Sequence, residues 1–255
     1  MYHYTASLVL YNNEYEDYKN IIDYFENTKD KCLLIIIDNS KNGLHKIESF
    51  NKNIEYIKTN KNLGYGSGQN IALKKIIDKS LFHFLLSPDL LVPDEFYKKS
   101  INYVKHNQIL AFAPKILNYD FSIQQNIKNF PNPINLIIRS LSIFKKLEPV
   151  FNKNYVDIDK LYSKKDIKVN CVSGSCIGID TRVIKKIGFF DERYFMYLED
   201  VDFCLRIVRE FNIYYIPKFL VIHKHNASSK KNIKYWIIHV ISAIKYFYKW
   251  KFKNI

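Results

Sequence analysis

The stretch Leu33–Ser40, LLIIIDNS, is an unbroken apolar run of strand length that stops at an aspartate and two small polar residues. A run this short, rich in β-branched residues and without polar alternation, reads as a strand covered on both faces, as in a parallel sheet. Ser7–Tyr11, SLVLY, repeats the pattern and ends in Asn12-Asn13. Between the two, Tyr18, Ile21, Ile22 and Phe25 recur at helical spacing. Ile54–Lys58 predicts a third strand, Asn60–Gly68 a loop and Asn70–Ile77 a helix. Leu81–Leu86, LFHFLL, is a fourth strand candidate that ends in Ser87-Pro88-Asp89. The alternation predicts an α/β fold, a mostly parallel, Rossmann-like sheet flanked by helices in a single domain.

Ligands of such sheets bind beyond the carboxyl ends of the strands, which gathers Asn12, Asp38, the Asn62–Asn70 loop and Asp89 along one rim. A strand-end aspartate either caps the next helix or offers the hard oxygen donor that Mg²⁺ and Mn²⁺ prefer. The loop NKNLGYGSGQN (Asn60–Asn70) has GxGxG spacing and follows the third strand, so it is no dinucleotide fingerprint, and it lacks the Lys-Ser/Thr pair of a phosphate loop. It is either a plain turn or a glycine loop whose free N–H groups meet a phosphate or base edge.

Past Ile109–Pro114 the pattern weakens. Leu117–Lys168 is rich in Asn, Lys and Asp and holds Pro131, Pro133 and Pro149, the composition of a mobile insertion more than of packed core. Val169–Ile179, VNCVSGSCIGI, restores order as a strand pair or a bent strand with Gly174 in the bend. His223 ends a short strand, with His225 two residues on. It is a surface or core histidine, or it completes a metal site beside Asp89.

In FMYLEDVDFCLRI (Phe195–Ile207), a helix starting near Glu199 would bury Val201, Cys204, Leu205, Val208 and Phe211 as its stripe. Asp200 falls at the edge of that stripe, with Glu199 and Asp202 further round. These carboxylates either complement the positive end of the helix or supply chemistry. At the C-terminus, Trp236, Ile237, Val240, Ile241, Ile244, Phe247 and Tyr248 recur at helical spacing beside Lys234, Lys245, Lys249 and Lys251. Residues 231–255 therefore predict a basic amphipathic helix, packed on the domain or lying on an anionic membrane surface.

The 255 residues, 47% of them hydrophobic, suffice for a full core. The net charge of +14 attracts anions, whether nucleic acid, acidic lipid or a phosphorylated substrate, or reflects drift towards Lys, Asn and Ile. No nucleic-acid motif accompanies it, so no specific nucleic-acid partner is expected. Cys32, Cys171, Cys176 and Cys204 sit in apolar surroundings without a CxxC pair, as reduced cysteines of a cytosolic protein do. No signal peptide or spanning helix is expected, which predicts a cytoplasmic protein, peripheral on the inner face of the cytoplasmic membrane if the C-terminal helix docks there.

Taken in order, SLVLYNN, IIDNS, NKNLGYGSGQNIAL, LLSPD, VSGSCIGIDTRVIKKIGFFDERYFMYLEDVDFCLRI and IPKFLVIH resemble the signature of family 2 glycosyltransferases of the GT-A fold, in particular their rhamnosyltransferase-like branch. The resemblance covers roughly residues 5–225 apart from the middle insertion. It implies a GT-A domain over 1–230, with 1–115 binding nucleotide and 116–230, including the 117–168 insertion, facing the acceptor. Tyr11, Asp38, Asn62, Gly64 and Asn70 would bind the nucleotide; Asp89 and His223 would hold Mg²⁺ or Mn²⁺; Asp200 would be the catalytic base, with Glu199 beside it. Ser87 departs from the family's pattern, standing where the first acid of the metal-binding DxD belongs. The implied reaction is inverting transfer of a sugar from a nucleotide-diphosphate donor, dTDP-rhamnose or a UDP-sugar, to a hydroxyl of a glycan or lipid-linked glycan in surface polysaccharide synthesis. The alternative is a catalytically silent nucleotide-sugar-binding module.

Overall fold

A computed structural model of the chain describes residues 1–41, 51–133, 155–224 and 233–250. Its strands and helices run β1 (Tyr4–Leu10), α1 (Tyr15–Asn27), β2 (Cys32–Asp38), β3 (Ile54–Lys58), α2 (Tyr65–Ile76), β4 (Phe82–Leu86), β5 (Leu90–Leu91), α3 (Glu95–His106), β6 (Ala111–Asn118) and β7 (Ile127–Lys128). They continue with α4 (Ile158–Leu161), β8 (Ile167–Val169), β9 (Cys171–Val172), β10 (Cys176–Asp180), α5 (Thr181–Ile187), α6 (Glu199–Glu210), β11 (Ile213–His223) and α7 (Ile233–Trp250).

One mixed, mostly parallel sheet of nine strands is ordered β3-β2-β1-β4-β10-β6-β11-β5, with β8 on β11. Strands β1 to β4 pair in parallel, and β10 enters antiparallel between β4 and β6. The missing alternation in the strands follows from burial on both faces. Leu8 and Leu10 pack with Tyr18, Ile21 and Phe25 of α1 and with α3, whereas Val9, Ile35 and Ile37 face α2, α5 and α6. Helix α1 begins at a capping box in which Glu14 and Asp17 exchange backbone bonds.

Helix α2 starts at Tyr65, earlier than expected, inside the glycine loop. Gly64 takes φ +82°, open to glycine at little cost, and a side chain there would overlap the Phe195 carbonyl. A Cβ on Gly68 would collide with Val9, so this glycine lets helix and strand approach. The 117–168 insertion is in part packed core, contrary to its composition. Ile127, Tyr155, Val156 and Leu161 are buried in the main apolar cluster, and β7 pairs with β9. Apolar anchors spaced between polar residues escape a compositional reading. Pro149 and residues 134–154 lie outside the described residues, as does His225.

Candidate active site

The ends of β1 and β2 are laced into one rim. Asn39 N–H donates to the Leu10 carbonyl at 2.9 Å, and Asn12 N–H to Ser40 Oγ at 2.8 Å. Asp38 is fully buried, yet its charge is met: Tyr56 donates its hydroxyl at 2.6 Å and Ser40 its N–H at 2.8 Å. Its carboxylate is thus a fixed acceptor. Tyr11 stands beyond β1 with its side chain out, 50% exposed, the geometry of a ring available for stacking. Asn62 accepts from Gly64 N–H at 3.0 Å, and Asn39 donates to the Gly64 carbonyl at 3.2 Å, which joins the glycine loop to this rim. Asn70, expected beside the nucleotide, is buried behind the rim. Its amide donates to the Phe190 carbonyl and Glu192, and its oxygen accepts from Phe190 N–H, so it ties α2 to the segment before α6.

Asp89 and His223 do meet. Leu90 of β5 pairs with His223 of β11, which brings His223 Nε2 to 2.8 Å from Asp89 Oδ1. The other ring nitrogen lies 3.1 Å from the Gln124 amide, an outer partner of the kind that fixes a ligating imidazole. Burial pushes the Asp89 carboxyl up, but the hydrogen bond and charge of His223, with Ser87 helping, hold it below the usual range. One carboxylate and one imidazole converging with a braced second nitrogen fit a divalent cation that takes its remaining ligands from phosphate or water. No group of three or more such side chains occurs among the described residues, and Asp38, two strands away from β4 in the sheet, is held by Tyr56 and Ser40.

The third part is the start of α6. Asp200 is half-buried; Oδ1 accepts from Val201 N–H at 2.8 Å and Oδ2 from Gly174 N–H at 3.2 Å. The Gly174 carbonyl in turn accepts the Tyr65 hydroxyl at 2.6 Å, so the first residue of α2 braces the turn that braces Asp200. A Cβ on Gly174 would lie 3.3 Å from the Cβ of Asp200, a tight approach that would press on the carboxylate's own side chain. Ser175 in the same turn accepts Ser87 N–H at 2.7 Å, which ties the Asp200 side to the Asp89 side. Glu199 is buried against Gly66, with Oε2 unpaired. Burial, and then the charge of Asp200, push its carboxyl well above the carboxylate range.

Asp202 departs from the expected helix phase. It is fully buried and takes bonds from Arg206 Nε at 3.0 Å, Lys249 Nζ at 2.5 Å and Trp250 Nε1 at 3.0 Å. Two of these donors come from α7, whose inner edge also places Tyr246 and Ser242 in the core. Two of the lysines expected either to pack on the domain or to face a membrane turn inward: Lys249 binds Asp202 and Asp191, and Lys245 donates to the Arg193 carbonyl at 2.6 Å. Ile233, Trp236, Ile237, Ile241, Ile244 and Tyr248 remain exposed on the other side. Gln124 escaped sequence reading and carried no signal; the sequence marks Tyr65 only as part of the glycine loop, Gly174 only as a bend and Lys249 only as a basic residue of the C-terminal helix.

A strand-end rim, a carboxylate–imidazole pair and a braced carboxylate at a helix start are joined through the glycine loop and the Ser173–Ser175 turn. The family model described as Glycosyl transferase family 2 matches residues 9–188. The chain belongs to this family. Among its relatives, the low-salt glycan biosynthesis hexosyltransferase Agl10 of Haloferax volcanii is 27% identical over 80% of this chain, which spans only 61% of that protein. Rhamnosyltransferase WbbL of Escherichia coli K12 is 25% identical over 94% of this chain and 91% of its own length. Among solved structures, GalNAc-T7, crystallised with UDP, GalNAc and Mn²⁺, superposes with a TM-score of 0.61 at 11% identity over 94% of this chain and 47% of that one. Staphylococcus aureus TarS superposes at 0.59 and 13% identity, over 87% of this chain and 36% of its own. These likenesses show the GT-A fold. Helices α6 and α7 lie beyond the matched family segment.

Proposed function

We propose that this family 2 member is an inverting glycosyltransferase. It moves a sugar from a nucleoside-diphosphate donor, dTDP-rhamnose first and UDP-sugars next, to a hydroxyl of a glycan or lipid-linked glycan in surface polysaccharide synthesis. The observation that carries the reading is Asp200: a half-buried carboxylate at the rim, aimed by two backbone N–H groups and joined to the glycine loop through Tyr65 and Gly174. A base so placed takes the proton of the acceptor hydroxyl as its oxygen attacks the anomeric carbon, a contribution of about 10² to 10⁴ in rate. The bond from that carbon to the diphosphate breaks on the opposite face, its electron pair leaving with the diphosphate, so the configuration inverts. Tyr11 and Asp38, with Asn62 and Gly64, hold the nucleoside. Glu199 stands beside the base, its carboxyl pushed up by burial and by the charge of Asp200. Asp89 and His223 would hold Mg²⁺ or Mn²⁺, which when bound offsets charge on the leaving diphosphate.

The preference for rhamnose rests on WbbL and on two Mycobacterium tuberculosis proteins named N-acetylglucosaminyl-diphospho-decaprenol L-rhamnosyltransferase, 42% identical over 24% of this chain. A lipid-linked acceptor also suits the exposed apolar side of α7, which we place in the membrane interface; among the described residues no helix is long and apolar enough to cross. With Lys245 and Lys249 turned inward, that docking rests on apolar insertion, aided at long range by the +14 charge. The deciding experiment is a panel of nucleotide sugars with Mn²⁺ or EDTA, read by thermal shift and release of nucleoside diphosphate. Release from dTDP-rhamnose, stimulated by a lipid-linked glycan, is expected; a panel without binding or release overturns the reading.

A further inference from the structure

The segment that leads into α6 is strained and is held from behind. Tyr197 and Leu198 take φ of 66° and 65°, consecutive bulky residues in the left-handed region, and Leu198 directly precedes Glu199 and Asp200. Backbone of this kind is costly for bulky residues and persists only where its surroundings over-determine it. The front of the segment is set by the nucleotide loop, since the Phe195 carbonyl fills the space left by Gly64. Its back is set by α7. Lys245 Nζ donates to the Arg193 carbonyl at 2.6 Å, Ser242 Oγ to the Met196 carbonyl at 2.7 Å, and His239 packs edge-on against the Tyr197 ring at 5.3 Å. Lys249 joins Asp191, before the strained pair, to Asp202, after it, at 2.8 and 2.5 Å.

We infer that α7 is a clasp for the Tyr197–Leu198 turn, and that Ser242, Lys245 and Lys249 are positioning residues that set where Asp200 stands. Helix α7 acts through the turn and through Asp202, two residues beyond Asp200. Directional hydrogen bonds, those of Lys245 and Lys249 charge-assisted, suit this role because they fix position along the helix as well as distance from it. A displacement of about 1 Å in a reacting group can cost on the order of 100-fold in rate, so a clasp distant from the substrate still reaches turnover. The inference rests on Asp200 being the acceptor base.

The test uses the full chain carrying Ser242→Ala with Lys245→Met, which keeps Tyr246, Lys249 and Trp250 and therefore the helix's seat. Amide exchange in peptides covering residues 193–201 should rise at least tenfold, with β1 unchanged. With the donor and acceptor found in the panel, kcat should fall at least fivefold while the donor KM stays within twofold. Lys249→Met should lower kcat further, and Lys249→Arg should restore most of it, as a merely space-filling role would not. Unchanged exchange at 193–201 in the double variant overturns the clasp, as does faster exchange with unchanged kcat. If Lys249→Met fails to fold, the double variant decides. A wild-type chain that turns over no nucleotide sugar would sink the function proposed above, and the exchange experiment would still decide whether α7 holds the turn.

Discussion

Asp38 and Asp202 are both fully buried carboxylates, and they differ in how the chain satisfies them. Asp38 takes its donors from Ser40, two residues on, and from Tyr56 of the neighbouring strand β3. Asp202 takes one from the next turn of its own helix and two from Lys249 and Trp250 at the end of the described chain. The strand-end rim is thus assembled mainly by strand order, while α6, which carries the proposed base, depends on an element that arrives late in the chain. If each carboxylate serves the step nearest to it, damage at the rim should appear in donor affinity and damage around α6 in turnover.

The largest effect tests the centre of that division. Asp200→Asn keeps shape and removes the proton acceptor, so kcat should fall 100-fold or more while donor binding, read by thermal shift, stays near wild type. Near-normal turnover in Asp200→Asn, with Glu199→Gln inactive, would move the base to Glu199. Next in size is the carboxylate–imidazole pair. Chelation should cost tenfold or more, and Asp89→Ala should abolish the Mn²⁺-dependent part of the donor thermal shift; full activity in EDTA removes Asp89 and His223 from any metal role.

Asp202→Asn then probes the long-range half. Reading the apolar stripe alone would make this the mildest of the three carboxylate changes. Its burial reverses that order for stability. Weakening a buried charge network costs roughly 3 kcal/mol, and a chain of this size loses about 2–4 °C of Tm per kcal/mol. A calorimetric scan should therefore show a fall of about 10 °C, with Glu199→Gln moving the other way above pH 5. The sign for Glu199 follows from its raised carboxyl: the folded state holds a proton that the unfolded chain releases near pH 4.5, so stability declines as pH climbs from there towards the raised value. The amide cannot ionise, and its advantage should grow over that window.

What the sequence made legible tracks contact range. Strands β1 to β4, the order of the rim residues and the start of α6 at Glu199 all follow from local runs and spacing, and the meeting of Asp89 with His223 follows once β5 is set beside β11. The phase error at Asp202 has a definite cause. A 3.6-residue stripe marks one buried face, but α6 is covered by the sheet layer and by α7, so a charged residue became buried wherever a distant lysine could meet it. For the same reason the sequence left the side of α7 open, and only the structure turns Lys245 and Lys249 inward, since composition records charge and not which side of a helix holds its partner.

The smallest effects divide the two regions most cleanly, because they remove single hydroxyls from otherwise similar tyrosines. Tyr56 donates to Asp38 at 2.6 Å on the donor rim; Tyr65 donates to the Gly174 carbonyl, also at 2.6 Å, one step from Asp200. Each phenylalanine replacement leaves one buried acceptor short of a bond, worth about 1 kcal/mol, or roughly five-fold. Tyr56→Phe should spend that change on donor KM, because the acceptor it loosens, Asp38, is the residue proposed to hold the nucleoside. Tyr65→Phe should lower kcat by a similar factor with donor KM unmoved, because the turn it frees is the one whose N–H aims the base. Steady-state kinetics on both variants is enough: equal effects on the same parameter would mean that rim and base helix act as one unit, and that strand order and the C-terminal clasp do not govern separate steps.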